Sequence, residues 1–286
     1  MEVLGKMKNF SNRIISAALA SMVVACIFSG ILLKNAEAAG RVEAGKTQTV
    51  TITLQMGIKL PDGSTYTNTK VWPLDALGVG QHNGIWCIGG GHPALGGGKI
   101  PRYHILSYYD ISMIPKGAKI NSAYLSYFFF QPSSGDHNIS VHRVEDPDNL
   151  GMWDVTSVTY SSRAGIYKGS STPGRYWTKK PYAYPAGNIW APGSGPAIME
   201  SIKSTATCSF EFGALPGDRW MTTGDVSADV QAWLDGTAVN QGWLLKASTP
   251  QNSGRFASNA SVTEQFPTAQ WQKPKLVISY SMSSAK

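Results

Sequence analysis

Short runs of alternating side chains, each cut off by glycine, proline, asparagine or aspartate, leave this chain little room for anything but β structure. Thirty glycines and sixteen prolines punctuate 286 residues, only 15% of which are charged. Long helical periodicity is almost absent, and period-two runs between turn residues are the pattern of a sandwich or jelly roll. The clearest run is Ala123–Phe130, where nearly every side chain is apolar or aromatic, so both faces of that strand are expected to be covered. Ala206, Cys208, Phe210 and Phe212 alternate with Thr207, Ser209 and Glu211, a one-sided pattern that turns Cys208 inward. Segments 49–54, 139–144, 242–248 and 276–280 read as further strands, with Trp243, Leu245, Leu276 and Ile278 as core candidates.

One segment has the other period. Val226, Val230, Trp233 and Leu234 fall at i, i+4, i+7 and i+8, which predicts a short helix across the end of the sandwich. Asp225 stands at the expected N-cap and Gly236 where the chain must leave the helix. Residues 161–200 are rich in Gly, Pro, Ser and Tyr with weak periodicity, a long loop of the functional or poorly ordered kind.

The chain opens as an export signal does. Lys6, Lys8 and Arg13 precede an apolar run from Ile14 to Leu33, and Ala36-Glu37-Ala38 suits cleavage after Ala38. An uncleaved anchor and a lipoprotein site at Cys26 are the competing readings, and a cleaved signal peptide over 1–38 is the one adopted. The remaining 39–286 is expected to be a single domain, secreted and extracellular or held at the cell surface, with no transmembrane segment. The net charge of +7 is mildly basic. In an exported protein that balance suits anionic glycans and cell walls rather than nucleic acid. After cleavage Cys87 and Cys208 remain, free either to pair in an oxidising compartment or to stay buried as thiols.

Several blocks together resemble a known family. Tyr109-Asp110-Ile111-Ser112 is followed by Ile114–Ile120, in which Pro115 and Gly117 make a turn, and by Ala123 and Leu125 entering the core. Next come Val141-His142-Arg143-Val144, Trp153 and 155–160, then Asp225-Val226-Ser227, 230–236, 240–246 and the closing strand 273–280. Upstream lie Asn83-Gly84 and Ile88-Gly89-Gly90. In this order they are similar to the signature of the DNRLRE, or disaggregatase-related, domains, which are grouped with carbohydrate-binding module family 96. The resemblance covers roughly 70–281. Tyr160 stands where the family usually has Trp, Lys273 where Arg is common, and the 161–200 loop is longer than usual. The resemblance implies a jelly-roll β-sandwich with one short helix, exported and often attached to polysaccharide-degrading enzymes or surface proteins. Some members look like binders of acidic polysaccharides such as alginate. It also puts Trp153, Trp233 and Trp243 in the core, and Trp86, beside Cys87 in an apolar run, goes with them.

Glycan-binding modules stack sugar rings on flat aromatic faces and add basic groups for acidic sugars. The 161–200 loop has that inventory in Arg175, Tyr176, Trp177, Lys179, Lys180, Tyr182, Tyr184 and Trp190, with Trp271 as a weaker second candidate. The competing reading has these aromatics folding back to plug the loop. The turn Glu145-Asp146-Pro147-Asp148-Asn149, with Asp154 after it, offers oxygens for a structural calcium ion, against the plainer reading of a solvated polar turn. Asp75 with Asn83, and Asp225, are lesser alternatives. No Gly-x-Ser-x-Gly elbow or His-Glu-x-x-His pair is present, and all five histidines fall between His82 and His142. The sequence therefore predicts a polysaccharide binder without catalysis of its own. The alternative is a structural or adhesive surface protein that self-associates.

Overall fold

The computed structural model describes residues 47–75, 85–91, 101–131, 137–146, 149–153, 162–164, 175–176, 198, 201–212, 219–248, 253–257 and 270–283. They divide into two compact units, the larger made of Thr49–Ile58 and Thr65–Met282. In the smaller unit the described residues carry a tight turn, in which the Leu60 carbonyl accepts from Gly63 N and the Asp62 carboxylate accepts from Ser64 N (2.9 Å) and Oγ (2.6 Å).

The protein is all-β with one helix. Eleven strands share one antiparallel ladder: β1 (Thr47–Gln55), β2 (Thr69–Asp75), β3 (Ile85–Gly91), β4 (Pro101–Tyr109), β5 (Lys119–Gln131), β6 (His137–Arg143), β9 (Cys208–Phe212), β10 (Arg219–Thr222), β11 (Trp243–Ala247), β12 (Ser253–Ala257) and β13 (Lys275–Ser283). Their order is β1-β13-β5-β12-β3-β4-β11-β6-β9, with β10 also paired to β5 and β2 to β4. A second ladder joins β7 (Ser162–Ala164) to β8 (Arg175–Tyr176). The long ladder folds back on itself. Ser107 Oγ on β4 and Tyr127 OH on β5 lie 2.7 Å apart, although β12 and β3 separate those strands in the sheet.

Alternation fills the space between the layers. On β5 and β13, Ala123, Leu125, Tyr127, Leu276 and Ile278 are at most 1% exposed. Ile105, Trp243, Leu245, Ile139 and Val141 from β4, β11 and β6 are as deeply buried and share the face of Ser107, whose hydroxyl bonds Tyr127. Ile120 joins Ala123 on the inner face despite the odd spacing. The β13–β5 register slips between Ser279 and Tyr280, which skips Asn121 and restores the apolar face. The opposite faces of β2, β4 and β11 carry a second core of Leu74, Leu106 and Leu244, capped by Val144, Trp153 and Ile198.

The predicted helix spans Ser227–Leu234 (α1) and buries Val226, Val230 and Trp233. Its start differs from the expectation. Val226 takes the N-cap position with no side-chain cap bond, and Asp225 lies one residue earlier. There Asp225 Oδ1 accepts from Ser227 N (2.9 Å) and from Ala123 N on β5 (3.0 Å), so the carboxylate joins the helix entry to the sheet. The Asp110 carboxylate does similar work after β4, accepting from Ser112 N and Asn68 Nδ2. Trp153, Trp233 and Trp243 are core residues, as expected. The Trp86 side chain lies outside the described residues. Cys208 is a half-buried free thiol, its pKa pushed up to about 11, mainly by desolvation. β4, β11 and β6 separate its strand from that of Cys87.

Two glycines test this geometry separately. Gly117 and Gly242 both have φ of +81°, but a Cβ at Gly117 would meet nothing within 4 Å, whereas at Gly242 it would sit 2.0 Å from the Ser107 carbonyl oxygen. Gly117→Ala is expected to cost about 1–2 kcal/mol, the left-handed penalty alone. Gly242→Ala should cost roughly twice that or more, because backbone must move. Urea unfolding of both variants measures the difference, and equal costs would contradict the close approach of β4 to the loop before β11.

Candidate glycan-binding face

The outward side of β10, β5 and β13 carries the surface chemistry that the inner side lacks. The register pairs Trp220 with Phe128, Thr222 and Lys275 with Ser126, and Val277 with Tyr124. Since side chains two apart share a face, these residues form one outward patch opposite the buried Leu125, Tyr127, Leu276 and Ile278. Phe128 is only 3% exposed, because aromatic rings cover it from two directions. Trp220 stands edge-on at 5.7 Å and 74°, and Trp271 at 4.8 Å and 77°. Both fall in the range favoured by aromatic quadrupoles.

Trp271 is the outermost member at 57% exposure. It sits in a single 3-10 turn, Gln270–Gln272, immediately before β13. A side chain on so short a turn would wander without an anchor. Gln55, buried at the end of β1, donates from Nε2 to the carbonyls of Lys273 (2.6 Å) and Trp271 (3.3 Å). The exposed indole therefore rests on a fixed backbone and on the Phe128 ring. A large apolar ring left open on such a support departs from the ordinary scatter of surface apolar atoms.

Lys275 supplies the charge. Its Nζ lies 3.9 Å from the Trp220 ring centroid, a close cation–π contact, and partial burial lowers its pKa. Hydroxyls complete the patch, with Ser126 Oγ and Thr222 Oγ1 bonded to each other at 3.0 Å. Rings, one ammonium and hydroxyls on a sheet surface can stack a pyranose face, attract a carboxylate and hydrogen-bond sugar hydroxyls.

Of the loop residues predicted to bind, Arg175 and Tyr176 form β8, whose backbone pairs with Ser162 and Ala164. Their side chains lie outside the described residues, as do Trp177, Lys179, Lys180, Tyr182, Tyr184 and Trp190. Trp153 and Ile198, described residues on either side of this segment, belong to the second core over β2, β4 and β11. In the acidic turn, Asp146 accepts from Leu150 N and Gly151 N, both at 2.8 Å, and Glu145 pairs with Arg143 at 3.1 Å. Asp148 and Asp154 lie outside the described residues, and no group of three His, Cys, Asp or Glu placed to hold a metal occurs among the described ones.

Trp220 is not among the residues to which the sequence points, and Trp271 is the weaker of its two candidates. The Trp220–Thr222 alternation in Arg219-Trp220-Met221-Thr222 was the available signal, but four residues are too few to fix a period. No known protein family and no curated protein matches the chain.

Core and face indoles should respond differently to truncation. Trp243→Ala, at a fully buried site, is expected to cost about 3–5 kcal/mol. Trp271→Ala should cost about 1 kcal/mol or less. Denaturant unfolding distinguishes the two, and a Trp271 cost as large as that of Trp243 would make the exposed indole a structural element.

Proposed function

We propose that this is an exported carbohydrate-binding module without catalytic activity, a jelly roll of the DNRLRE type, that holds an acidic polysaccharide at the cell surface or outside the cell. The observation that carries this reading is Trp271, more than half exposed yet braced on Phe128 beside Trp220 and Lys275. A ring held open in a fixed orientation stacks on a sugar with little ordering cost, and the neighbouring ammonium favours a uronate over a neutral sugar. The basic and aromatic loop around Arg175 and Trp190 would extend the same chemistry, and a calcium ion at the acidic turn would be a structural accessory. The two histidines whose side chains are described serve the frame. His142 bridges the Lys203 carbonyl and Ser140 Oγ at 2.9 Å each, and His104, 2% exposed and lowered to about pKa 3 by burial, accepts from Ala247 N. No helix among the described residues is long and apolar enough to cross a membrane.

The test is retention of residues 39–286 on immobilised alginate, pectin, chitin, xylan and purified cell wall at low and high salt. Selective retention on an acidic polymer is expected, with Trp271→Ala weakening it about tenfold, the equivalent of one lost stacking contact. Lys275→Ala should flatten the salt dependence, since screening acts on the charge term alone. Uniform failure to bind, with assembly that grows with protein concentration in light scattering, would instead make the exposed indole a contact between copies in a structural or adhesive protein.

A further inference from the structure

A second site lies over the other core. Lys70 on β2 and Tyr108 on β4 are direct cross-strand partners, and their outward side chains face the turn at 146–152 and the loop that follows α1. Between these walls opens a cleft of about 460 Å³, within the roughly 300–1,000 Å³ typical of small-molecule sites.

Its walls are fixed by bonds that need no ligand. The two backbone bonds to Asp146 close the turn, in which Asn149 (φ 53°) and Gly151 (φ 80°) are left-handed. Asn240 is pinned on the opposite wall, donating from Nδ2 to the Tyr109 carbonyl (2.9 Å) and accepting from Gly242 N (3.1 Å). Lys70 Nζ donates to the Trp153 carbonyl (3.2 Å) and lies 5.9 Å from the Tyr108 ring centroid. Desolvation raises the Tyr108 pKa, so its hydroxyl stays protonated as a donor at neutral pH.

Among the residues that line the cleft, one buried polar atom is left over. Gln241 lines the cleft and is 2% exposed, and its Oε1 has no hydrogen-bond partner. Its Nε2 reaches Asp146 Oδ2 only at 3.5 Å, the weak limit of a hydrogen bond. Buried carbonyl oxygens are nearly always satisfied; Tyr109 OH and Trp233 Nε1 are also unpartnered among the described residues, and of the three only Gln241 Oε1 belongs to a residue that lines the cleft.

We propose that the cleft binds a terminal sugar unit of a glycan, separately from the Trp271 face. A pyranose would lay one face against the Tyr108 ring and set an oxygen toward Lys70, and a turn of the Gln241 side chain toward the cleft would let its Oε1, buried as it stands, accept a hydrogen bond from a sugar hydroxyl. Amides predominate over charge in the lining, where one lysine and one aspartate, Lys70 and Asp146, are the charged residues. That balance suits a polyhydroxyl ligand and disfavours a phosphate, which seeks clustered cations. Walls on two sides suit a chain end, whereas the open sheet face suits a chain lying across it.

The test titrates the mature chain with disaccharides of mannuronate, guluronate, galacturonate, glucose and xylose, followed by amide NMR. At least one is expected to bind and to shift Tyr108, Asn149 and Gln241. Val239, 60% exposed on the rim, allows Val239→Trp to fill the cleft with little risk to folding. That variant should weaken disaccharide binding at least about tenfold, while Trp271→Ala leaves it unchanged. Lys70→Ala losing affinity for uronates alone would identify the terminal unit as acidic, and an equal loss for neutral disaccharides would identify it as neutral. The proposal is overturned if no disaccharide binds up to about 10 mM, if Val239→Trp binds as well as the parent, or if Trp271→Ala alone abolishes binding. Polymer retention by the Trp271 face can survive each of the first two results, so the two sites fail separately.

Discussion

The fold turns on the carboxylate of Asp229. It lies on α1 at 2% exposure, where an unpaired charge would be strongly destabilising. Each oxygen is therefore engaged: Oδ2 accepts from Thr207 Oγ1 (2.6 Å) and Trp243 Nε1 (2.9 Å), and Oδ1 faces Arg143 at 3.5 Å. These partners come from the approach to β9, from β11 and from the end of β6, so one side chain draws three parts of a layer onto the helix. Trp243 is held a second time by Trp233, whose ring centroid is 4.4 Å away. The helix is tied to β5 as well. Gln231 Oε1 accepts from Ile120 N (2.8 Å), and the Val226 N–H donates to the Ala123 carbonyl (2.8 Å). An eight-residue helix would not persist alone in water. Here it fastens both layers at one end.

With that end fastened, alternation sets the rest. The side chains of β5 that point inward complete the core, and those that point outward are then fixed in position without further device. Phe128, Ser126 and Tyr124 face out because Tyr127, Leu125 and Ala123 must face in. The proposed binding face is in this sense a by-product of core register, to which Trp271 is added by a turn that Gln55 secures. The second core works the same way on the opposite layer, where packing of Trp153 and Ile198 over Leu106 and Leu244 brings the 146–152 turn beside Lys70.

Much of the frame was legible in the sequence. The strands at 123–130 and 276–280, the helix over 226–234 and the three core tryptophans follow from periods of two and 3.6, which burial imposes directly. What escaped depends on distances the sequence does not contain. Asp225 looked like a helix cap, yet its bond to Ala123 N spans about a hundred positions of chain. Trp220 and Phe128 form a pair only because β10 lies beside β5 in one register. The cleft gathers residues from four separated segments, none of which carries a motif alone. The aromatic side chains of the 161–200 loop lie outside the described residues; among the described aromatic rings Trp271 stands out by exposure and support, and its neighbours in sequence give little hint of the rings beneath it.

The most direct measurement is a two-dimensional NMR titration of the indole N–H signals, with tryptophans assigned by substitution, using soluble oligosaccharides of about six units. The account predicts that the Trp271 and Trp220 signals move together and saturate, while the buried Trp243 signal stays in place. Trp271 and Trp220 signals unmoved by any oligosaccharide of a polymer that retains the protein would contradict binding on the β10–β5–β13 face.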